Sequence, residues 1–474
     1  MIELKAEAVS PNGLYLNSSI LSLHIVAVLE TEMPFDDSQA ALLIKSVFLP
    51  INPRFSSIMV TGPNGEKQWK GVEVNLRKHI HTPIFPGGES PEFYDECLAD
   101  YLSELSAEEL PSSQPLWEIH IVKYPTVTAA GSIVFKLHHA LGDGYSLMGA
   151  LLSCLERADD PSLPLTFPAL CSLDAKDNSV AGCIDVLMNG AVLGVKRAGK
   201  VFSAACNKMS DFCFSLIMST LVEDDVSPLR SGSSQVATEF RPVSIAGTAF
   251  SLDQIREIKS RIGATINDVI TGVIFLGARL YMEEMEAGSG DASATALVLL
   301  NTRMVGGYTS IQEMAKPDRN STWGNRFAFL HVPIPKLQGN QDQDPLQFIR
   351  KARRIILKRR NSLAVYLTGK TLDLIRKTRG PEAAAGYVSR TIRSASLVIS
   401  NVIGPMEKVS VAKQPVKGMY FFVTGKPQSL GASVVSYMGN LRVTVGAEKG
   451  IVDTNKLISC IETAFEIILH SSPT

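Results

Sequence analysis

Residues 132–155 change their hydrophobic period twice, and that change dictates the local fold. Ser132-Ile133-Val134-Phe135-Lys136-Leu137 reads as a strand, and Leu147-Met148-Gly149-Ala150-Leu151-Leu152-Ser153-Cys154-Leu155 reads as a helix. Between them lies His138-His139-Ala140-Leu141-Gly142-Asp143-Gly144, a polar turn with the pattern H-H-x-x-x-D-G. A strand that enters a helix through a polar turn belongs to an α/β architecture, and such turns are where a scaffold presents chemistry.

If the strand pleat continues, His139 shares the face of Phe135 and Leu137, while His138 faces the other way. Only one histidine then points at a reaction centre. Histidine is the side chain suited to exchanging a proton near neutral pH. A neutral imidazole can take the proton of an alcohol as it attacks a thioester carbonyl, a contribution of typically ~100-fold to ~10,000-fold. Asp143 is expected to orient the loop through a hydrogen bond or an ion pair, and Gly144 to permit the tight turn into the helix. The plainer alternative is a histidine pair closing a buried strand, with Asp143 only the helix N-cap. The whole seven-residue combination favours the chemical reading.

Other catalytic patterns fail. Gly144-Tyr145-Ser146-Leu147-Met148 lacks the last glycine of a nucleophile elbow. Thr424-Gly425-Lys426 runs into Pro427 and has no glycine at the spacing of a phosphate loop. Neither G-x-G-x-x-G nor H-E-x-x-H occurs, so neither a nicotinamide cofactor nor a zinc protease is suggested.

At 474 residues the chain is too long for one ordinary core. Its 45% hydrophobic and 20% charged content is that of a globular protein. A formal charge of -1 gives no global basic field, so nucleic acid is not an expected partner. The seven cysteines form no C-x-x-C pair, which argues against a disulfide framework or structural zinc and favours a reducing compartment. The N-terminus shows no basic region followed by an apolar one, so a secretory signal is not expected. Residues 180–195 are interrupted by Asp185 and Asn189, and 269–282 by Arg279, so no clean membrane span is expected. The chain can still lie on a membrane.

Three regions follow. Residues 1–175 form a first half with strands at 20–29, 117–124 and 132–138 and a helix at 38–49. Residues 176–240 are a helical crossover and linker, helical over 180–222 and polar from Glu223 to Glu239. Residues 241–474 form a second half. It has helices at 253–261 and 266–285, the latter capped by Thr265 or Asn267, and buried strands at 296–301 and 396–403. A hairpin about Gly439-Asn440 joins strands 434–437 and 441–445, and a helix at 454–469 closes the chain.

At this point the residues resemble a known family. H-H-x-x-x-D-G marks the CoA-dependent acyltransferases with the chloramphenicol acetyltransferase fold. Within that superfamily the chain looks like the plant-type wax ester synthase/diacylglycerol acyltransferases. Pro115-Leu116-Trp117 matches their P-L-W before a strand, and Asn267-Asp268-Val269 their N-D at a helix start. Trp323-Gly324-Asn325 matches W-G-N, and Asn401-Val402-Ile403-Gly404-Pro405 matches N-V-x-G-P. Each run is weak alone; their order, from about residue 8 to near the C-terminus, is specific. Ala8-Val9-Ser10-Pro11 departs from the family's P-L-S-P, which bears on local packing near the N-terminus. The D-F-G-W-G run usual in BAHD acyltransferases is missing, and no carrier domain of the kind that accompanies condensation domains is present.

The resemblance implies an α/β fold of two chloramphenicol acetyltransferase-like mixed-sheet halves meeting at a central active-site tunnel. It implies that His139 is the general base, supported by His138, Asp143 and Gly144. Asn267, Asp268, Asn401 and Gly404 would bind substrate or shape the tunnel; Asn267-Asp268 as a helix cap and 401–405 as a packed strand and turn remain alternatives. Pro115-Leu116-Trp117 is expected to pack. Acyl-CoA would enter as a substrate, with no metal or other cofactor, and a long-chain alcohol or diacylglycerol would accept the acyl group. The implied setting is a membrane surface, the cytosol-facing side of the endoplasmic reticulum or plasma membrane. The basic run from Arg350 to Arg360, with its seam of Ile349, Ala352, Ile355, Ile356 and Leu363, is either a docked helix with a solvated face or a contact for anionic lipid or CoA phosphates. Two alternatives stay open: a BAHD-like enzyme with a small soluble acceptor, and a non-catalytic acyl-CoA- or lipid-binding protein.

Overall fold

The computed structural model describes residues 7–63, 66–170, 223–230, 239–303, 305–310, 323–337, 344–360 and 363–471. The helical segment expected at 180–222 lies outside them, as does most of the linker after it.

Two mixed sheets organise the chain. The first has seven strands in the order Ile80–His81, Trp117–Val122, Gly131–His138, Ser22–Thr31, Gln414–Lys426, Val409–Val411 and Glu156–Arg157. Its central strands are rich in β-branched residues, and Trp117–Val122 and Gly131–His138 are buried along their whole length. Burial of both faces requires cover on each side. Pro91–Ala107, begun by the Ser90 cap and Pro91, sets Leu98, Leu102 and Leu105 against Val26, Val134 and Phe422 on one face. The opposite face, with Ile25, Phe135, Leu137 and Phe421, looks toward the second sheet, whose Val435 and Tyr437 join the same cluster.

The second sheet has six strands: Val243–Ser251, Asn440–Glu448, Gly431–Tyr437, Leu397–Val402, Thr295–Asn301 and Phe327–Pro333. Leu397–Val402 runs parallel to both neighbours, and the other pairs are antiparallel. Ile266–Met285 underlies this sheet, buried from Asp268 to Arg279. Thr265 is its N-cap, completing a capping box with Asp268. Two glycines let neighbouring helices touch it: a Cβ on Gly272 would sit 2.4 Å from Ile349 Cγ1, and one on Gly277 2.6 Å from the Ile461 Cα. Glycine in a helix interior costs roughly 0.5–1 kcal/mol relative to alanine, and here it makes room for the packing of Leu346–Arg360 and Thr454–Ser471.

The expected division at residue 241 does not describe the sheets. Gln414–Lys426 leaves the second half and pairs along Ser22–Thr31 in the first sheet, from Val416 opposite Thr31 to Lys426 opposite Ser22. The chain then returns to the second sheet at Gly431. The hairpin turn also sits one residue earlier than expected: Met438 and Gly439 hold φ of 48° and 75° between Gly431–Tyr437 and Asn440–Glu448. A methionine rarely takes positive φ, so its side chain gave no sign of the turn.

Candidate active site

A cavity of about 480 Å³ opens between the two sheets. Phe135, Leu137 and His139 line it from the first sheet, and Phe329, Val398 and Ser433 from the second. His138 is absent from that lining and stacks edge-on against His24 at 5.1 Å, on the other face of the sheet. The pleat of Gly131–His138 therefore separates the two histidines, as alternation requires.

Their hydrogen bonds fix opposite tautomers. The Ala140 backbone N–H donates to His138 Nδ1 at 3.0 Å, so the proton of His138 sits on Nε2, 3.1 Å from Ser22 Oγ. At His139 the Asn325 amide decides. Asn325 Nδ2 donates to the His139 carbonyl at 2.8 Å, which turns Oδ1 toward His139 Nδ1, also at 2.8 Å. An amide oxygen only accepts, so Nδ1 carries the proton and Nε2 keeps its lone pair. Burial lowers the pKa of both rings, more than offsetting the opposing pull of the Asp143 charge on His139, and pushes His138 down to about 3. Both histidines are neutral at pH 7, and His139 can accept a proton at Nε2.

Asp143 both caps and pairs. Its Oδ1 accepts from the Ser146 N–H at the start of Gly144–Ser153. Its Oδ2 accepts from Arg303 Nη1 at 2.6 Å and from the Arg326 N–H at 2.8 Å. Arg303 Nη2 continues to the Gly324 carbonyl at 2.7 Å, and Trp323 Nε1 donates to the Leu141 carbonyl at 2.8 Å. The segment 323–325 thus clamps the motif loop from the second half. Gly144 works differently from the expectation. It begins the helix without a positive φ, and a Cβ there would lie 2.8 Å from Val402 Cγ2. Its missing side chain admits the second sheet; it does not make the turn.

The other expected residues divide. Asn401 Nδ2 donates to Asn267 Oδ1 at 3.1 Å, and both line the cavity with Asp268. Asp268 also completes the capping box and lies 3.8 Å from Arg353 Nε. Gly404 is not in the lining: a Cβ there would fall 2.0 Å from the Ser436 carbonyl, so it lets the chain leaving Leu397–Val402 pass close against the neighbouring strand Gly431–Tyr437. Trp117 is fully buried, stacked on His79 at 4.2 Å, with Nε1 donating to the Phe55 carbonyl. The basic run lies on the Leu346–Arg360 helix, whose Ile349, Ala352 and Ile356 are buried. Its last turn brings Ile356, Leu357 and Arg360 to the cavity.

Arg303 escaped the sequence reading because nothing local marks a partner 160 residues from Asp143. Asn325 stood in the W-G-N run, which carried a signal but no role. Among the described residues no His, Cys, Asp or Glu cluster could hold a metal, and no single helix is long and apolar enough to cross a membrane.

A family model described as the wax ester synthase/diacylglycerol acyltransferase catalytic domain matches residues 22–270, and one described as the WS/DGAT C-terminal domain matches 323–469. Wax ester synthase/diacylglycerol acyltransferase 4 of Arabidopsis thaliana is 26% identical over 469 residues, covering 94% of this chain and 86% of its own. Its namesake numbered 11 from the same plant is 25% identical over 476 residues, covering 98% and 95%. Among solved structures, the wax ester synthase/diacylglycerol acyltransferase from Marinobacter aquaeolei VT8 has the same fold, with a TM-score of 0.58 at 14% identity over 98% of this chain and 100% of that one. The first condensation domain of the calcium-dependent antibiotic synthetase also has it, with a TM-score of 0.57 at 12% identity over 98% and 96%.

Proposed function

This chain belongs to the wax ester synthase/diacylglycerol acyltransferase family, and on that premise we propose that it moves a fatty acyl group from acyl-CoA to a long-chain alcohol or diacylglycerol, with His139 as general base. The observation that carries the base assignment is the unprotonated Nε2 of a neutral His139 on the wall of a largely apolar cavity. The alcohol O–H gives its proton to Nε2 as its oxygen attacks the thioester carbonyl carbon. The tetrahedral intermediate collapses, the C–S bond breaks, and the departing CoA sulfur takes the proton back. The products are an ester and free CoA. The thioester supplies the driving force, so acyl-CoA is a substrate and the reaction needs no further cofactor.

Asp143 holds the loop that carries His139, and His138 stays neutral behind it. Asn267, Asp268 and Asn401 are among the polar residues of the wall and serve to orient the substrates. The exposed Arg350 and Arg354, with Arg360 at the cavity, suit the headgroups of anionic lipid. Lipid acceptors reside in bilayers, so the reading puts the enzyme on the cytosol-facing surface of the endoplasmic reticulum or plasma membrane.

The test is a panel of acceptors with labelled palmitoyl-CoA. Hexadecanol or a diacylglycerol should yield labelled wax ester or triacylglycerol, and His139→Ala should lower the rate ~100-fold to ~10,000-fold. Full activity in that variant would sink the base assignment.

A further inference from the structure

We propose that Asn325 is a positioning residue for acyl transfer: its amide dictates which nitrogen of His139 holds the proton, and so keeps Nε2 available as the base. The inference rests on the reading of His139 as the base and adds to it the group that sets its state.

Asn325 grips one residue at two points. Nδ2 donates to the His139 carbonyl and Oδ1 accepts from Nδ1, each at 2.8 Å, with both residues buried. The carbonyl cannot donate, so the amide cannot rotate by half a turn without setting Oδ1 against a carbonyl oxygen. A neutral histidine left to itself favours the proton on Nε2, which leaves that nitrogen unable to accept from an alcohol. The amide excludes that tautomer. Asn325 is itself held, because its backbone carbonyl accepts from Asn12 Nδ2 at 2.7 Å.

The neutrality of this partner matters. A carboxylate at the same place would stabilise the imidazolium and hold it protonated at lower acidity. The nearby carboxylate, Asp143, has both oxygens committed: Oδ1 to the Ser146 N–H, Oδ2 to Arg303 and the Arg326 N–H. An uncharged acceptor at Nδ1 therefore sets the tautomer without trapping the proton that Nε2 must return to the leaving sulfur. The group that orients a catalytic base is a recurrent requirement of such sites; here it comes from a segment 186 residues away.

The experiment uses the full chain with Asn325→Ala and Asn325→Asp. Rates with palmitoyl-CoA and hexadecanol are followed from pH 5 to 9, alongside nitrogen NMR of protein labelled in its histidine rings. In the unaltered protein His139 should show the proton on Nδ1. Asn325→Ala should shift it to Nε2 and lower kcat ~10-fold to ~100-fold with little change in KM. Asn325→Asp should keep the proton on Nδ1, recover part of kcat at high pH, and move the acid limb of the profile up by about one unit or more. In a His139→Ala background, Asn325→Ala should cost nothing further. If His139→Ala abolishes turnover while Asn325→Ala keeps both the tautomer and kcat, this inference falls and the base reading stands. If His139→Ala remains active, the base reading itself falls. Should Asn325→Ala fail to fold, Asn325→Asp decides, since an unmoved acid limb overturns the proposal.

Discussion

Arg303 Nη1 lies 2.6 Å from Asp143 Oδ2, with the two side chains 1% and 7% exposed. The pair joins the motif loop of the first half to the strand end that follows Thr295–Asn301 in the second. Breaking a buried pair leaves a charge with no partner, at a cost of roughly 3–5 kcal/mol. Arg303→Met should lower the denaturation midpoint accordingly, and the paired Asp143→Asn, Arg303→Met variant should lose less than the sum of the singles. Additive losses in a denaturant titration would mean that the contact is not coupled.

Activity should fall on the acid side only below pH 6.5. Burial holds the His139 pKa below its ordinary value, and only the neutral ring can accept the alcohol proton. The kcat/KM profile should therefore be level through pH 7 and drop at lower pH. A half-maximal point above 6.5 would contradict the arrangement.

Stability should also fall with acid. His138 is pushed down to about 3, so the unfolded chain binds a proton below pH 6.5 that the folded one refuses. Stability from this group is complete above 6.5 and is lost as pH falls from there toward 3. By linkage the loss at pH 5 is about 2 kcal/mol. Thermal midpoints measured at pH 7 and pH 5 should differ, and His138→Gln should narrow the gap.

Gly404→Ala should destabilise the protein by at least the usual ~1–3 kcal/mol of overpacking, since its Cβ would meet the Ser436 carbonyl at 2.0 Å. That carbonyl is backbone and yields little. Calorimetry of the variant would reveal an unchanged midpoint if that approach were looser.

Binding to phosphatidylserine vesicles should weaken with added salt. Each basic residue near such a surface contributes about 1 kcal/mol, so replacing Arg350, Arg354 and Arg360 by glutamine should weaken it by roughly 100-fold. Co-sedimentation that ignores both salt and substitution would exclude the electrostatic contact.

Local chemistry was legible in the sequence, and partnership was not. Alternation along Ser132–Leu137 separates His139 from His138 because the pleat is a property of adjacent residues. Thr265 and the apolar run behind it announce the helix from Ile266 for the same reason. Arg303 and Asn325 owe their roles to long-range folding, and no spacing rule reaches across those distances. Gly144 was expected to permit the turn and Gly404 to bind substrate or shape the tunnel; each instead makes room for a close approach of another strand, which only packing reveals. The exchange of Gln414–Lys426 into the first sheet was equally hidden, since a strand's pattern records its faces and not its neighbours.

That exchanged strand bears on where this protein can be cut. A fragment ending at residue 270 would contain the whole motif and the full extent of the catalytic family match. It would nevertheless leave one side of Ser22–Thr31 with open backbone donors and acceptors, next to the strand that carries His139. An unpaired edge of ten largely buried residues is a template for a second chain. Such a fragment should self-associate unless residues 414–426 are supplied as a separate peptide, which makes this strand a natural site for splitting and reassembling the enzyme.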